Sequence, residues 1–107
     1  MASKIEKKAC RQYLERTKGY TILDEDNYFD FVCRDFDVII FVDCFGWGEE
    51  IHLNRSNFER NSILWLKENK DSLSGDDLLR YDTVEADIFG DHAYIKHHVN
   101  CLGDPNE

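Results

Sequence analysis

Residues 28–44 read YFDFVCRDFDVIIFVDC and hold the clearest strand pattern of the chain. Residues 38–44 form a continuous apolar run rich in β-branched side chains, which is typical of a strand buried on both faces. Residues 28–34 alternate imperfectly between two faces, with Phe29, Phe31 and Cys33 on one and Asp30, Val32 and Arg34 on the other. The short segment between the two runs has room only for a tight turn, so the pattern predicts an antiparallel hairpin.

Two helical patterns flank this hairpin. Residues 4–18 place apolar side chains on one stripe, and Ser3 and Glu6 have the spacing of a capping box. Residues 55–69 form the second amphipathic segment, with Asn54 or Ser56 as its cap.

Three further segments are typical of strands: residues 20–23, 80–89 and 93–99. In residues 80–89 the alternation predicts Val84, Ala86 and Ile88 inward and Thr83, Glu85 and Asp87 outward. Helices that alternate with strands favour an α/β fold. We therefore predict one domain over residues 1–107, a three-layer sandwich with a mixed central sheet that includes the antiparallel hairpin, and helices at about 4–18 and 55–69.

Composition narrows the class of protein. The 107 residues are 42% hydrophobic and 13% aromatic, which excludes a disordered polymer. The formal net charge of −9 argues against a basic nucleic-acid-binding surface and favours an acidic, soluble domain. No apolar run approaches the roughly 20 residues needed to cross a bilayer, so no membrane association is expected.

The cysteines and the first residues of the chain point to one compartment. Cys10, Cys33, Cys44 and Cys101 are widely spaced, and without a Cys-x-x-Cys pair they give no support to a zinc site. Residues 1–12 contain no apolar signal segment. We therefore expect reduced thiols and a cytoplasmic protein.

Asp30 and Asp43 are the candidate site residues. If the hairpin turn is Phe36-Asp37, or the four residues 35–38, Asp30 lies directly opposite Asp43. If the turn is Asp35-Phe36, the two aspartates are diagonal neighbours on one face. Either arrangement places two carboxylates where a hard cation such as Mg²⁺ or Mn²⁺ could bind, or leaves both pointing into water.

The order of motifs resembles the YraN-type family of small bacterial proteins, which have the restriction-endonuclease-like (Holliday-junction-resolvase-like) nuclease fold. The resemblance covers about residues 5–102 and rests on these segments: ACRQYLERTKGYTIL, DFVCRDFDVIIFVD, ILWLKEN, LRYDTVEAD and YIKHHVNCL. It implies a single nuclease-like domain. It also implies that Asp30 occupies the position of the family's strand Asp and Asp43 that of the Glu in its Glu-x-Lys motif.

Several positions depart from the family pattern. Phe45 occupies the position of the Lys, which would orient the attacking hydroxide, and Tyr28 occupies that of a Glu. The helix Glu of the family falls near Lys7, or on Glu6 if the register slips by one. The basic cluster at the start of the second helix is reduced to Arg55 and Arg60. The sequence thus predicts a degenerate active site, with Asp30 and Asp43 as remnant catalytic or metal-binding residues.

The functional expectation is a catalytically inactive member of this superfamily that acts as a binding or interaction domain, with no required cofactor. Its partner would be another protein or a second copy of the chain. One alternative is a metal-dependent DNA endonuclease with a non-standard site, in which Arg34 or Lys7 replaces the missing Lys. Another alternative is an acidic mimic of DNA or a dimeric structural subunit. Nucleic acid is possible from the resemblance and is disfavoured by the charge.

Overall fold

The computed structural model describes residues 2–102, apart from the side chain of Ser72. Residues 1 and 107, the predicted domain boundaries, lie outside this range. The elements in chain order are α1 (Lys4–Gln12), β1 (Thr21–Glu25), β2 (Phe31–Asp35), β3 (Val38–Gly46), α2 (Arg55–Glu68), β4 (Leu78–Phe89) and β5 (His92–His98). A π-helical turn, Tyr13–Thr17, extends α1, and a 3-10 turn, Lys70–Ser72, follows α2.

The five strands form one mixed sheet in the order β1-β2-β3-β4-β5. The pairs β1–β2, β2–β3 and β4–β5 are antiparallel, whereas β3 and β4 are parallel. The parallel pair is joined through α2, since parallel neighbours need a crossover rather than a turn. The predicted mixed sheet with an antiparallel hairpin is confirmed.

The two helices cover opposite faces of the sheet. On one face Cys10 and Leu14 pack on Cys33, Val42 and Val84, all fully shielded from solvent or nearly so. On the other face Trp65 of α2 packs on Val32, Ile39 and Phe41. Because β3 contributes to both clusters, it is buried on both faces, as its continuous apolar run predicts. The three-layer arrangement is confirmed.

The helix ends follow from local chemistry. The Ser3 hydroxyl accepts the Glu6 backbone N–H at 3.2 Å, and the Ser3 N–H donates to the Glu6 carboxylate at 2.8 Å. This capping box begins α1, as predicted. Gly19, with φ +71°, lets the chain turn back after the helix. Asn54, rather than Ser56, caps α2 by accepting the Asn57 N–H at 3.0 Å.

The strand predicted at residues 28–34 begins later, at Phe31. The Asp26 N–H donates to the Asp30 carbonyl at 3.1 Å, which closes a turn and removes Tyr28 to Asp30 from the ladder. Phe29 is consequently buried on the α2 face, whereas Phe31 and Cys33 lie on the α1 face. The prediction that all three share one face is wrong for Phe29.

The predicted exposure of one face of β4 is also wrong. Thr83 and Glu85 are only 2% and 8% exposed. Thr83 contacts the Cys101 thiol at 3.4 Å, and Glu85 pairs with the His98 imidazole at 2.8 Å. The segment after β5 covers Thr83, and a β5 side chain covers Glu85. Both positions would be exposed on an isolated β4 strand. Among residues 2–102, no helix is long and apolar enough to span a membrane.

Candidate functional site

The register of the β2–β3 hairpin places Asp30 next to Asp43. Asp35 pairs with Val38 and Phe31 with Val42, so the turn is Phe36-Asp37, with Phe36 at φ +53°. Continuing this register by one residue puts Asp30, just before β2, opposite Asp43 of β3. Of the turns that the spacing left open, the structure has the two-residue turn in which the aspartates face each other directly.

Each aspartate is hydrogen-bonded to the backbone of the opposite arm. Asp43 Oδ1 accepts the Asp30 N–H at 3.2 Å, and Asp30 Oδ2 accepts the Cys44 N–H at 2.7 Å. Charge-assisted bonds of this kind are stronger than neutral ones. The two carboxylates therefore continue the hairpin beyond the last backbone pair and hold its end closed.

Lys7 brings a cation from α1 to this end of the hairpin. Its Nζ lies 3.6 Å from Asp30 Oδ1 and also pairs with the carboxylate of Asp26. The ammonium lies 5.7 Å from the centre of the Phe31 ring, and the Lys7 side chain is only 23% exposed. A basic side chain of the protein thus offsets the negative charge of the turn.

Asp43 lies deeper, between β3 and β4. Its Oδ2 accepts the Tyr81 hydroxyl at 2.7 Å. Burial raises the pKa of Asp43 above its usual value, since the bonds from Tyr81 and from the Asp30 N–H and the attraction of Lys7 only partly oppose the loss of solvation. The carboxyl group borders a cavity of about 200 Å³ at the start of α2, lined by Phe29, Asp43, His52, Asn54, Asn57, Phe58, Asn61 and Tyr81.

The two aspartates are adjacent but are bound to different layers. Asp43 is held by Tyr81, which packs in the cluster under α2. Asp30 is held by Lys7, which comes from α1 on the other face. The carboxylates lie close together at one end of the hairpin, as predicted, and their further contacts reach opposite layers.

The other positions that the resemblance assigns to motif residues have local roles. Phe45, to which it assigns the position of the Lys, is half-buried on β3 and pairs in register with Glu85. Glu6 is held in the α1 capping box, and its carboxylate lies against Gly46, where an added Cβ would be 2.9 Å from Glu6 Oε2. Tyr28 donates to Glu68 of α2. Within residues 2–102, no three His, Cys, Asp or Glu side chains group as a metal-ligand set.

Arg34 is not available to the aspartates. It pairs with Asp77 at 2.8 Å and donates to the Phe36 carbonyl, at the turn end of the hairpin. Of the two basic residues named as substitutes for the missing Lys, Lys7 alone reaches Asp30. At the start of α2, Arg60 donates to Asn57, and Arg55 donates to the Leu102 carbonyl.

Sequence reasoning missed a second polar cluster, under α1. Asp82 is fully buried and accepts four hydrogen bonds of 2.8–2.9 Å, two from the Arg80 guanidinium and one each from His97 Nε2 and the Asn100 N–H. His97 Nδ1 contacts the Tyr13 hydroxyl at 2.9 Å. The one available signal was Arg80-x-Asp82, since alternate residues of a strand share a face.

Two histidines of β5 and a tryptophan before α2 also make polar or cationic contacts. His97 and His98 point to opposite faces, as their adjacency in a strand predicts, and they bind Asp82 and Glu85 respectively. Trp47 is 48% exposed, and Lys96 Nζ lies 5.1 Å from the centre of its ring. The four cysteines are free thiols, and burial raises the pKa of Cys33 to about 12.

No protein-family model matches the chain, and no curated protein matches its sequence. The YraN-type resemblance therefore stays a prediction from the quoted motifs.

Proposed function

We propose that the chain is a catalytically inactive, nuclease-like domain of the restriction-endonuclease-like superfamily that acts by binding a partner. The resemblance to the YraN-type family suggests the scaffold. The order of helix, antiparallel strands, crossover helix and parallel strand supports it, because the resembling motifs follow one another in that order. The contacts of Asp30 and Asp43 support the inactive state.

The observation that carries the proposal is the internal use of both carboxylates. All four oxygens have a partner within the chain: Cys44 N–H and Lys7 for Asp30, and Asp30 N–H and the Tyr81 hydroxyl for Asp43. A divalent cation would have to displace Lys7 and compete with these donors. The arrangement supports a structural clasp rather than a metal site.

Phe45 supports the same conclusion. Nuclease chemistry at such a site needs a cation beside the attacking hydroxide. The aromatic ring at position 45 cannot supply one. The net charge of −9 further reduces the affinity expected for a phosphate backbone, because binding is driven by cations that replace condensed counterions.

The acidic residues between Asp24 and Asp43 are a poor mimic of DNA, because contacts within the domain occupy several of their carboxylates. Asp24 accepts the Trp65 indole N–H at 2.8 Å, Glu25 pairs with Arg11 at 2.9 Å, and Asp26 and Asp30 pair with Lys7. A mimic would present such charges to a basic partner. A protein partner or a second copy of the chain fits better.

The experiment compares the wild type with Asp43→Asn and Phe45→Lys. Plasmid, linear duplex and branched DNA are incubated with each purified protein in Mg²⁺ or Mn²⁺, and DNA binding is measured at physiological salt. We expect neither cleavage nor binding by the wild type. Cleavage by the wild type that disappears in Asp43→Asn would overturn the proposal. Activity gained in Phe45→Lys alone would support a scaffold that lacks only the basic group.

The metal-dependent endonuclease remains the second candidate, because Lys7 places an ammonium beside Asp30. Lys7→Met separates the two proposals. If Lys7 is a clasp, the variant loses stability and no activity is present to lose. If Lys7 assists catalysis, the wild type cleaves DNA and the variant does not, while Lys8→Met, the exposed neighbour on α1, keeps the wild-type activity.

A further inference from the structure

Strand β5 leaves one edge of the sheet open. It is the last strand in the order β1-β2-β3-β4-β5, and its seven residues, His92–His98, pair with β4 on one side. Most of its side chains are exposed, including Tyr94 at 58%. Among residues 2–102, no strand pairs with its other side. A regular edge of this kind is a template for pairing with another strand, because its outward N–H and C=O groups are available as hydrogen-bond partners.

The opposite edge of the sheet is protected. Strand β1 has five residues, and its register with β2 shifts between Ile22 and Asp24. Asp24 and Glu25 add charge to this edge. Short length, a bulge and charged side chains are the features by which sheets block edge pairing. The contrast identifies β5 as the edge that is open to a partner.

We propose that β5 is the interface at which two copies of this chain associate, as an antiparallel pair of β5 strands in one continuous sheet. A two-fold axis at Ile95, the middle residue of the strand, gives the longest overlap. In that register the paired residue numbers sum to 190, so Tyr94 of each copy faces Lys96 of the other, and His92 faces His98. A two-fold interface repeats every such contact.

The charges along the strand suit a second copy. Residues 92–98 contain one Lys and no Asp or Glu, and the proposed register never places Lys96 against itself. Lys96 already lies 5.1 Å from the centre of the Trp47 ring. The Tyr94 ring of the second copy would add a second aromatic surface beside the same ammonium, an arrangement that favours a cation. Like charges directly opposite each other would instead oppose pairing.

Exposed apolar groups gather beside this strand. Phe89 is 63% exposed with its ring centroid 6.0 Å from that of Tyr94, and Val99 is 52% exposed. A groove of about 670 Å³ runs beside the end of β5, with Leu53, Val99 and Cys101 in its lining. The proposed register brings the β4–β5 turn of the second copy next to Val99. Apolar surface would thus be covered at both ends of the paired strands.

The test measures molar mass by sedimentation equilibrium at pH 8 as a function of protein concentration. The full chain is expected to reach the mass of a dimer within the range up to about 0.1 mM, which corresponds to a modest association free energy. Tyr94→Lys places a new ammonium opposite Lys96 twice per dimer and should weaken association by roughly tenfold or more. Circular dichroism checks that this exposed substitution leaves the fold intact.

A charge exchange makes the test specific. Adding Lys96→Glu to Tyr94→Lys places a carboxylate opposite the new ammonium and should restore the dimer. Leu23→Lys, at the protected β1 edge, should leave the mass unchanged. A monomeric wild type over the whole range would overturn the proposal, and so would a double variant that stays monomeric. Since the test reads mass alone, its outcome is independent of whether Asp30 and Asp43 support catalysis.

Discussion

The Tyr81 hydroxyl donates to Asp43 Oδ2 at 2.7 Å and joins the parallel strands β3 and β4 through side chains. The bond is directed at a carboxyl group that is otherwise costly to bury, because removing a charge from water is unfavourable without compensating donors. Tyr81 and Asp43 are 38 residues apart in sequence. Their contact links the end of the hairpin to the strand that follows the crossover helix.

The pH dependence of stability should carry the signature of Asp43. Its pKa is raised in the folded protein by burial, so the folded state binds the proton more tightly than the unfolded state does. Protonated Asp43 therefore stabilises the folded protein. This stabilisation is complete below the ordinary Asp pKa of about 3.9 and is lost as the pH rises through the raised pKa of the folded protein. The asparagine of Asp43→Asn does not titrate, so the variant does not lose this stabilisation. We expect the free energy of unfolding of Asp43→Asn minus that of the wild type to increase from acidic to neutral pH, as measured by urea denaturation.

Two variants check the assignment to Asp43. Asp37→Asn, in the exposed hairpin turn, should show no such relative gain. Tyr81→Phe removes the donor that lowers the Asp43 pKa and should make the pH dependence steeper. A difference between Asp43→Asn and the wild type that is constant with pH contradicts the assignment.

Lys7 should stabilise the fold through its charge. Lys7→Met keeps most of the side-chain length beside Phe31 but removes the ammonium near Asp26 and Asp30. Because Asp26 is largely exposed, we expect a loss of only about 1 kcal/mol in the free energy of unfolding, and a smaller loss at high salt.

The matched control for Lys7 is Lys8→Met, which removes the same charge from an exposed position of α1. Thermal and urea denaturation of both variants at low and high salt separate the local contact from the general effect of net charge. Equal losses in the two variants argue against a specific role for Lys7.

The sequence predicted the hairpin and the closeness of Asp30 and Asp43, and it left two registers open. Strand side chains alternate with period two and a tight turn fixes the register, so these features are local. The capping box of α1 was equally local. The contact of Lys7 with Asp30 depends instead on how α1 crosses the end of the sheet, which no spacing in the sequence encodes.

The Asp82 cluster was missed for the same physical reason. Its donors come from β4 itself, from β5 and from Asn100 after β5, so it forms only when the edge of the sheet is assembled. The delayed start of β2 is a further example, since Tyr28 to Asp30 match a strand pattern locally. The hydrogen bond from the Asp26 N–H to the Asp30 carbonyl holds these residues in a turn instead, so that β2 begins at Phe31.

Gly46 should be coupled to Glu6. A Cβ at position 46 would lie 2.9 Å from Glu6 Oε2, and that carboxylate also caps α1 by accepting the Ser3 N–H. Gly46→Ala must therefore shift the Glu6 carboxylate, and because this strains the capping box we expect a loss of up to about 1 kcal/mol in unfolding free energy. The double variant Glu6→Ala/Gly46→Ala should cost less than the sum of the single variants. Additive losses in urea denaturation would show that the two positions are independent.

Asp82 should be the most sensitive polar position of the chain. Asp82→Asn leaves Arg80 and His97 without their carboxylate in a buried site, and we expect a loss of about 3 kcal/mol in unfolding free energy. Asp87→Asn, farther along the same strand and less buried, should cost far less. Urea denaturation at neutral pH measures both losses.

The stabilisation of the fold by Asp82 should depend on pH with the opposite sign to that by Asp43. Burial alone would raise its pKa, but the hydrogen bonds from His97, Arg80 and the Asn100 N–H outweigh burial and lower the pKa in the folded protein. The stabilisation is then present above the ordinary Asp pKa of about 3.9 and is lost as the pH falls through the lowered value. The difference in unfolding free energy between the wild type and Asp82→Asn should narrow toward pH 3. If it widens instead, the carboxylate of Asp82 is not the group that holds Arg80 and His97 in place.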